Sequence, residues 1–223
     1  MKSMILAAAL ALQGPSQPPS ERSLPTENSG WREISPSHDI YVEEFGATDA
    51  QARVAIQGFG ACVARRSVGT ASEVLNRDYR TREYQQGLRV LSRNNEDCFR
   101  RRGRMRSHNL LFAGAIAEQL VEQGTEPLNV RLARAAAQPV PPAFSPIDRV
   151  ALCVVRSTPD DVGRMFATEV VSEAERNEIR ALRRVVELCN RTGRPLAVSD
   201  AGLRAILATA AFRAVNSSTG AEN

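Results

Sequence analysis

Cys62-Val63-Ala64-Arg65 returns 91 positions later as Cys153-Val154-Val155-Arg156. A second cysteine follows each stretch, 36 positions after the first, at Cys98 and at Cys189. These are all four cysteines of the 223-residue chain, so one offset superimposes one pair on the other. The spacing predicts a duplicated module with one cysteine pair in each copy.

The same offset aligns further positions around the cysteines. Apolar residues face apolar residues in the pairs Phe59/Val150, Ala61/Leu152, Val74/Met165, Leu75/Phe166, Leu88/Ile179 and Leu91/Leu182. Hydroxyl residues that suit helix starts also coincide, since Ser67 faces Thr158 and Thr81 faces Ser172. Beyond the second cysteine the alignment slips by one or two residues. The alternative is chance similarity between two helical segments rich in Ala, Leu and Arg, and the identical cysteine spacing argues against it.

The first residues are typical of export. Residues 1–11 are predicted to be a signal peptide, with Lys2 ahead of an apolar run and Ala9-Leu10-Ala11 as a small-residue cleavage site. An apolar N-terminal helix that stays attached is the alternative. Residues 12–46 are predicted to be a flexible leader, because Pro, Ser, Glu and Asn dominate it without periodicity. Within the leader, Ile40-Tyr41-Val42 is expected to pack on the first module or to form a short extended segment. The protein is therefore expected in the periplasm or outside the cell.

An even cysteine count in an exported chain favours disulfides over other uses of the thiols. Four cysteines allow three pairings, and the repeat favours Cys62–Cys98 with Cys153–Cys189. Each bond would contribute about 3–4 kcal/mol by loop-closure entropy. Zinc is disfavoured because the chain has no close C-x-x-C pair, and the same absence disfavours a redox role. No metal and no cofactor is predicted.

Periodicity and capping residues predict an all-α fold of two small modules, at residues 47–123 and 147–215, followed by a polar tail at 216–223. Thr48-Asp-Ala-Gln51 and Ser172-Glu-Ala-Glu175 fit capping boxes. Thr158-Pro159-Asp160-Asp161 combines a hydroxyl cap, a proline at the first helical position and acids. Residues 124–146 contain five prolines, so they are predicted to be a semi-rigid connector. Leu128–Leu132 is expected there as a short strand or a helical turn.

Arginine supplies 28 of the 29 basic residues, but the net charge of +4 is modest for a dedicated nucleic-acid binder. The densest basic cluster is a candidate anion site, formed by Arg100, Arg101, Arg102, Arg104 and Arg106. A solvated loop after a disulfide is the alternative for that cluster. Arg65 and Arg156 follow the module cysteines and are expected to cap a helix or form a salt bridge rather than bind a ligand.

No catalytic residue is assigned. The chain contains no G-x-S-x-G, H-E-x-x-H, P-loop or G-x-G-x-x-G pattern. Its two histidines are His38 in the leader and His108 beside a helix start, and neither has a repeated counterpart.

The segment Cys-Val-Val-Arg-Ser-Thr-Pro-Asp-Asp-Val at 153–162, the later Cys189 and the closing Leu-Arg-Ala-Ile-Leu at 203–207 carry a resemblance. They resemble a group of secreted and periplasmic alphaproteobacterial proteins with this helical module, for which no activity is known. The resemblance implies a repeat and export, and it assigns no functional residue. The first copy departs from the pattern at Ala64 and at residues 66–69.

These features together predict an exported, non-catalytic helical repeat protein that binds or interacts with a component of the bacterial envelope. Its partner is expected to be an envelope protein or an anionic envelope polymer. One alternative is an anion-binding module that uses the Arg100–Arg106 cluster on lipopolysaccharide, nucleic acid or an acidic polymer. The second alternative is an enzyme whose site would gather His108 with an acid and a hydroxyl.

Overall fold

A computed structural model describes residues 40–43, 49–99, 104–107, 109–191 and 195–219. The predicted signal peptide, most of the leader and both histidines lie outside these residues. The regular secondary structure of the described residues is helical apart from one short ribbon, so the predicted all-α class is confirmed. The helices are α1 (Asp49–Arg66), α2 (Val68–Leu75), α3 (Arg82–Asn94), α4 (Asn109–Glu122), α5 (Leu128–Ala136), α6 (Pro146–Ser157), α7 (Pro159–Phe166), α8 (Glu173–Cys189) and α9 (Asp200–Thr219).

The ribbon consists of two antiparallel strands, β1 (Ile40–Glu43) and β2 (Arg104–Ser107). Ile40 pairs with Ser107 and Glu43 pairs with Arg104. Of the two expectations for Ile40-Tyr41-Val42, the short extended segment is therefore confirmed.

Hydroxyl caps define several helix starts, as the sequence indicates. The expected caps at Ser67 and Thr158 are exceptions, because neither side chain makes a capping hydrogen bond at the start of α2 or α7. The side chains of Thr81 and Ser172 accept hydrogen bonds from the backbone N–H of Tyr84 and Glu175, respectively. Ser145 caps α6 in the same way. Each cap satisfies one of the four N–H groups that a helix start leaves without an intrahelical partner.

The helix boundaries recur at one spacing along the chain. Helices α2 and α7 both begin and end 91 residues apart. The starts of α3 and α8 are separated by the same interval, as are the starts of α4 and α9. Ser107 and Ser199 precede these last two helices and are 92 residues apart. The slip in the alignment therefore ends before α4 and α9 begin. We call residues 49–122 the first half and residues 146–219 the second half.

Both expected disulfides are formed. Cys62 in α1 is bonded to Cys98 in a short 3-10 turn at 96–98, and Cys153 in α6 is bonded to Cys189 at the end of α8. The Cα–Cα distances are 5.7 and 5.8 Å, within the usual range for unstrained bridges. Each disulfide joins the first helix of its half to the end of the third helix or to the turn that follows it.

The Pro-rich segment 124–146 contributes more than a connection. It holds α5, a nine-residue helix that starts directly after Pro127. Leu132 and Ala135 of α5 are buried in the common core. The five prolines prevent one continuous helix through the segment, but the interval between Pro127 and Pro139 is long enough for two helical turns. The expected short strand or single helical turn is thus a packed helix.

Helices α4 and α9 cross at the centre of the molecule, and α1 lies against α4. Small residues allow this close approach. A Cβ atom placed on Gly60 would lie 2.4 Å from the Ala115 Cβ, and one placed on Gly114 would lie 2.4 Å from the Ala205 Cβ. One hydrophobic core runs through both halves. In the described part of the chain, no helix has both the length and the apolar character that a membrane span requires.

Candidate functional site

The contact between α4 and α9 joins equivalent positions of the two halves. Gly114 and Ala205 are 91 residues apart in sequence, and they meet where the helices cross. In a twofold-symmetric pair, equivalent residues meet on the axis and every other contact occurs twice. The contact between Gly114 and Ala205 has this form, so the surfaces on its two sides can be compared position by position.

Two pockets lie between the halves, and their linings correspond at the 91-residue spacing. We call the one that contains Arg204 the charged pocket and the one that contains Asn109 the open pocket. Seven lining positions of the charged pocket have their 91-residue equivalents in the lining of the open pocket. The pairs, with the charged pocket first, are Arg53/Phe144, Ile56/Ile147, Gln57/Asp148, Ala115/Ile206, Glu118/Thr209, Val170/Tyr79 and Ala201/Leu110.

In the charged pocket, the guanidinium of Arg204 is buried and fully engaged. It donates two hydrogen bonds to the Glu118 carboxylate, at 2.9 and 2.7 Å. It also donates to Glu175 Oε1 at 3.2 Å and to the hydroxyl and carbonyl of Thr168. Glu118 belongs to the first half and Glu175 to the second, so this cation stabilises the contact between the halves.

Arg53 of α1 extends the same network. Its guanidinium donates to both oxygens of Glu175, at 3.0 and 2.7 Å. The Val171 N–H also donates to Glu175, and Val171 has a φ of 69°, which is rare for a β-branched residue. Burial alone would raise the pKa of Glu175, but the hydrogen bonds and charges of Arg53, Val171 and Arg204 outweigh it and hold the pKa below its ordinary value.

The open pocket also holds a buried ion pair, formed by Arg213 and Asp148. Arg213 donates to both oxygens of Asp148, at 2.8 and 2.9 Å. The Arg213 guanidinium also bonds to the Pro142 carbonyl and lies 4.2 Å from the centre of the Phe144 ring. The Tyr79 hydroxyl donates to the Ser145 hydroxyl. These groups are thus already engaged within the protein.

Asn109, the first residue of α4, is the exception in the open pocket. It is only 7% exposed, and its Oδ1 has no hydrogen-bond partner. At the equivalent position of the second half, Asp200 accepts a hydrogen bond from Arg183. Ser92 occupies the position equivalent to Arg183. Arg183 therefore supplies a donor to Asp200, whereas the shorter Ser92 supplies none to Asn109.

The remaining lining of the open pocket is largely apolar. Leu75, Leu110, Ile147 and Ile206 form its apolar walls. Tyr84, Thr209 and the exposed Arg77 complete the lining. Burial raises the pKa of the Tyr84 hydroxyl far above its usual range, so that this hydroxyl stays protonated. The cavity measures about 40 Å³, against about 20 Å³ in the charged pocket. The open pocket is thus a largely apolar cavity that borders the neutral Tyr84 hydroxyl, Arg77 and the buried Asn109.

The residues singled out from the sequence lie elsewhere. Arg100, Arg101 and Arg102 fall outside the described residues, as do His38 and His108. Arg104 and Arg106 belong to β2. Among the described residues, no group of three or more His, Cys, Asp or Glu is placed to hold a metal ion.

The two repeated arginines make contacts within the protein. Arg65 donates to the Gln119 side chain, and Arg156 donates to the carbonyls of Ala135 and Ala136 at the end of α5. Arg156 therefore caps a helix, as expected. Arg65 forms a hydrogen bond with a neutral side chain instead of a salt bridge.

The sequence did contain a signal for the pockets. Arg204 and Arg213 interrupt an otherwise apolar helix, and charged residues in such a helix are buried only when they are paired. The equivalent positions in α4 are Ala113 and Glu122. The two halves therefore carry different residues at these positions.

Comparisons with protein-family models, with curated proteins and with solved structures each found no match.

Proposed function

We propose that this chain is an exported, non-catalytic binding protein of the bacterial envelope, built from two copies of one disulfide-stapled helical module. In this proposal, the open pocket takes up a small ligand. The observation that carries the proposal is the open pocket itself, a largely apolar cavity between the halves that also borders Arg77 and the buried Asn109. Burial of each CH₂ of a ligand against such walls contributes about 0.8 kcal/mol.

Two features support export. The chain carries two disulfides, and bonds of this kind persist in oxidising compartments such as the periplasm. The signal-like residues 1–11 point to the same destination. Intact-mass measurement and non-reduced peptide mapping of protein from its native compartment test this part. A cleaved N-terminus with linked peptides is expected, whereas an uncleaved chain with four free thiols would overturn it.

The duplication is supported by the coincidence of helix boundaries, disulfides and pocket linings at one spacing. The Cys62–Cys98 and Cys153–Cys189 loops both span 36 residues. The equivalent pair Gly114 and Ala205 meets at the helix crossing. Two unrelated helical segments have no reason to share all of these features. In this proposal, one ancestral site became two, of which the charged pocket is now filled from within.

The polar groups of the open pocket favour binding over catalysis. Asp148 is engaged by Arg213 and by the Phe144 N–H, so its oxygens are occupied. A general base must accept a proton near neutral pH, and the raised pKa of Tyr84 keeps that hydroxyl protonated. What the pocket offers a ligand is a set of fixed hydrogen-bonding groups and apolar contact.

A fragment screen on the mature, oxidised protein tests ligand uptake. We expect amide chemical shifts to change mainly around the open pocket. Leu110→Trp places a larger ring in the pocket wall and should abolish these changes. Val130→Trp is the matched control, because Val130 is an exposed residue of α5 that lines neither pocket. Changes that scatter over the surface, or that survive Leu110→Trp, would contradict the proposal.

Anion binding by the Arg100–Arg106 cluster is the second candidate. Its support is the concentration of five arginines within seven residues, two of them on β2. Binding to lipopolysaccharide vesicles or to nucleic acid should then weaken with added salt. The double substitution Arg101→Gln and Arg102→Gln should weaken it further. Unchanged binding in that variant would rule out this candidate.

A further inference from the structure

Hydrogen-bond acceptors surround the Arg204 guanidinium in the charged pocket. Glu118 and Glu175 accept through their carboxylates, and Thr168 accepts through its hydroxyl and its carbonyl. The charged pocket is therefore an arrangement of acceptors around an internal cation. The residue equivalent to Arg204 in the first half is Ala113, so no arginine enters the open pocket from that position.

The positions equivalent to these acceptors carry no acid, and all of them line the open pocket. The pairs, with the charged pocket first, are Glu118/Thr209, Glu175/Tyr84 and Thr168/Arg77. Thr209 donates its hydroxyl to the Ile206 carbonyl, and the Tyr84 hydroxyl stays protonated. Arg77 is exposed and carries a permanent positive charge. Two acids and a neutral acceptor are thus replaced by two neutral hydroxyls and a cation, which favours a ligand of the opposite charge.

The other charges at the open pocket are balanced. Arg213 and Asp148 bind each other, with both side chains almost fully buried. Asp78 follows Arg77 in the chain, but it is bound by Arg80 at 2.8 Å. In the part of the chain that the structure describes, no carboxylate forms an ion pair with Arg77. An incoming anion can therefore approach Arg77 without displacing an internal partner.

The apolar part of the lining suits a short aliphatic body. Leu75, Leu110, Ile147 and Ile206 form the walls. The cavity of about 40 Å³ has room for about three water-sized groups. A three-carbon tail therefore fills it, and each CH₂ that leaves water there should raise the affinity about fourfold.

We propose that the open pocket binds a short aliphatic carboxylate, with its tail between the apolar walls and its carboxylate paired with Arg77. This inference rests on the proposed ligand-binding function and adds the chemical class of the ligand. Because Arg77 is exposed, the carboxylate keeps part of its hydration and avoids the full cost of burying a charge. The charged pocket joins an internal cation to carboxylates of the chain, whereas the open pocket joins an external carboxylate to an arginine of the chain.

Three probes separate the contribution of the charge from that of the tail. Butanoate carries both, butanamide has the same size without the charge, and acetate keeps the charge on a shorter tail. Titration of the mature, oxidised protein at low ionic strength, followed by amide chemical shifts, gives each affinity and its location. Butanoate should bind most tightly, and acetate about tenfold more weakly, from the loss of two CH₂ groups. Added salt should weaken butanoate but not butanamide, because salt screens an exposed ion pair.

Substitution of the cation gives the second comparison. Arg77→Gln should weaken butanoate about fivefold, the upper end for an ion pair with an exposed arginine, and leave butanamide unchanged. Arg77→Lys keeps the charge and should retain most of the affinity for butanoate. Arg184→Gln is the matched control, because Arg184 is an exposed arginine of α8 that lines neither pocket. It should alter none of the affinities.

The outcomes distinguish this inference from the function on which it rests. Butanamide that binds as tightly as butanoate, or butanoate binding that survives Arg77→Gln, would overturn the carboxylate assignment but leave a ligand-binding pocket. An equal loss in Arg184→Gln would indicate a general effect of net charge and would overturn it as well. Fragments that bind the pocket while all three probes fail would have the same meaning. If neither fragments nor probes bind there, both proposals fail.

Discussion

Replacement of Arg204 by methionine tests the buried charge network that joins the halves. The Arg204 side chain is 4% exposed, and its partners Glu118 and Glu175 are 6% and 1% exposed. Methionine retains much of the apolar stem of Arg204 but leaves the Glu118 carboxylate buried without its cation, while Glu175 keeps Arg53. Removal of one partner from a buried pair costs about 3–5 kcal/mol, and we expect a loss of this size in the free energy of unfolding.

The matched control is Arg183→Met. Arg183 pairs with Asp200, but the two side chains are 37% and 44% exposed. Exposed ion pairs contribute about 0–1 kcal/mol because water competes for both charges. The same chemical change should therefore cost at most about 1 kcal/mol here. The difference between the two variants isolates the effect of burial.

Urea unfolding of the oxidised protein measures both losses, with the midpoint and slope recorded separately. A double variant, Arg204→Met with Glu118→Leu, removes the charge left unpaired and should recover most of the lost stability. A loss below about 1 kcal/mol for Arg204→Met, or a loss equal to that of Arg183→Met, would refute the reasoning. Failure of the double variant to recover would indicate that packing, not charge, dominates at this site.

Three further predictions concern the helix crossing, a disulfide and acid stability. Gly114→Ala should destabilise the protein by about 1–3 kcal/mol, because the new Cβ would lie 2.4 Å from the Cβ of Ala205. Gly58→Ala is the control: a Cβ at Gly58 would meet no atom within 4 Å, so this change should stabilise α1 by about 0.5–1 kcal/mol in the same unfolding assay. Removal of the Cys62–Cys98 bond by alanine at both positions should cost about 4 kcal/mol, from closure of a loop of 36 residues, and a loss below about 1 kcal/mol would contradict this estimate. Because the pKa of Glu175 is lowered from 4.5, its contribution should be complete above that pH and decline as the pH falls through the lowered folded-state pKa. Unfolding curves between neutral pH and about pH 3 should show this decline, and Glu175→Gln should flatten it.

Local features explain why so much of the fold could be predicted from the sequence. Thr81 and Ser172 cap helices through bonds to residues three positions away. The cysteine pairing followed from spacing, since one offset maps Cys62 and Cys98 onto their counterparts. Helix α5 was underestimated because the surrounding prolines are a strong local signal. Its helical state depends in part on burial of Leu132 in a core formed mostly by distant residues.

The candidate site could not be predicted in the same way. Arg204 and Glu118 are 86 residues apart, and Arg53 and Glu175 are 122 apart. No local sequence pattern predicts which buried charged side chains will contact each other. The Arg100–Arg106 cluster can be recognised in the sequence because its residues lie within one short segment. The residues of the open pocket are instead dispersed along the chain. Asn109 in particular is distinguished only by the absence of a partner.

The sequence by itself determined most of the helices, the caps at Thr81 and Ser172 and the pairing of the cysteines, because each depends on spacing along one segment of chain. Only the tertiary structure decided that α4 and α9 cross at Gly114 and Ala205, that one pocket is filled by Arg204 and that its counterpart is open. The physical reason is that burial removes water as a partner for polar groups. Whether a charge or a carbonyl is then satisfied depends on which distant side chains share its pocket.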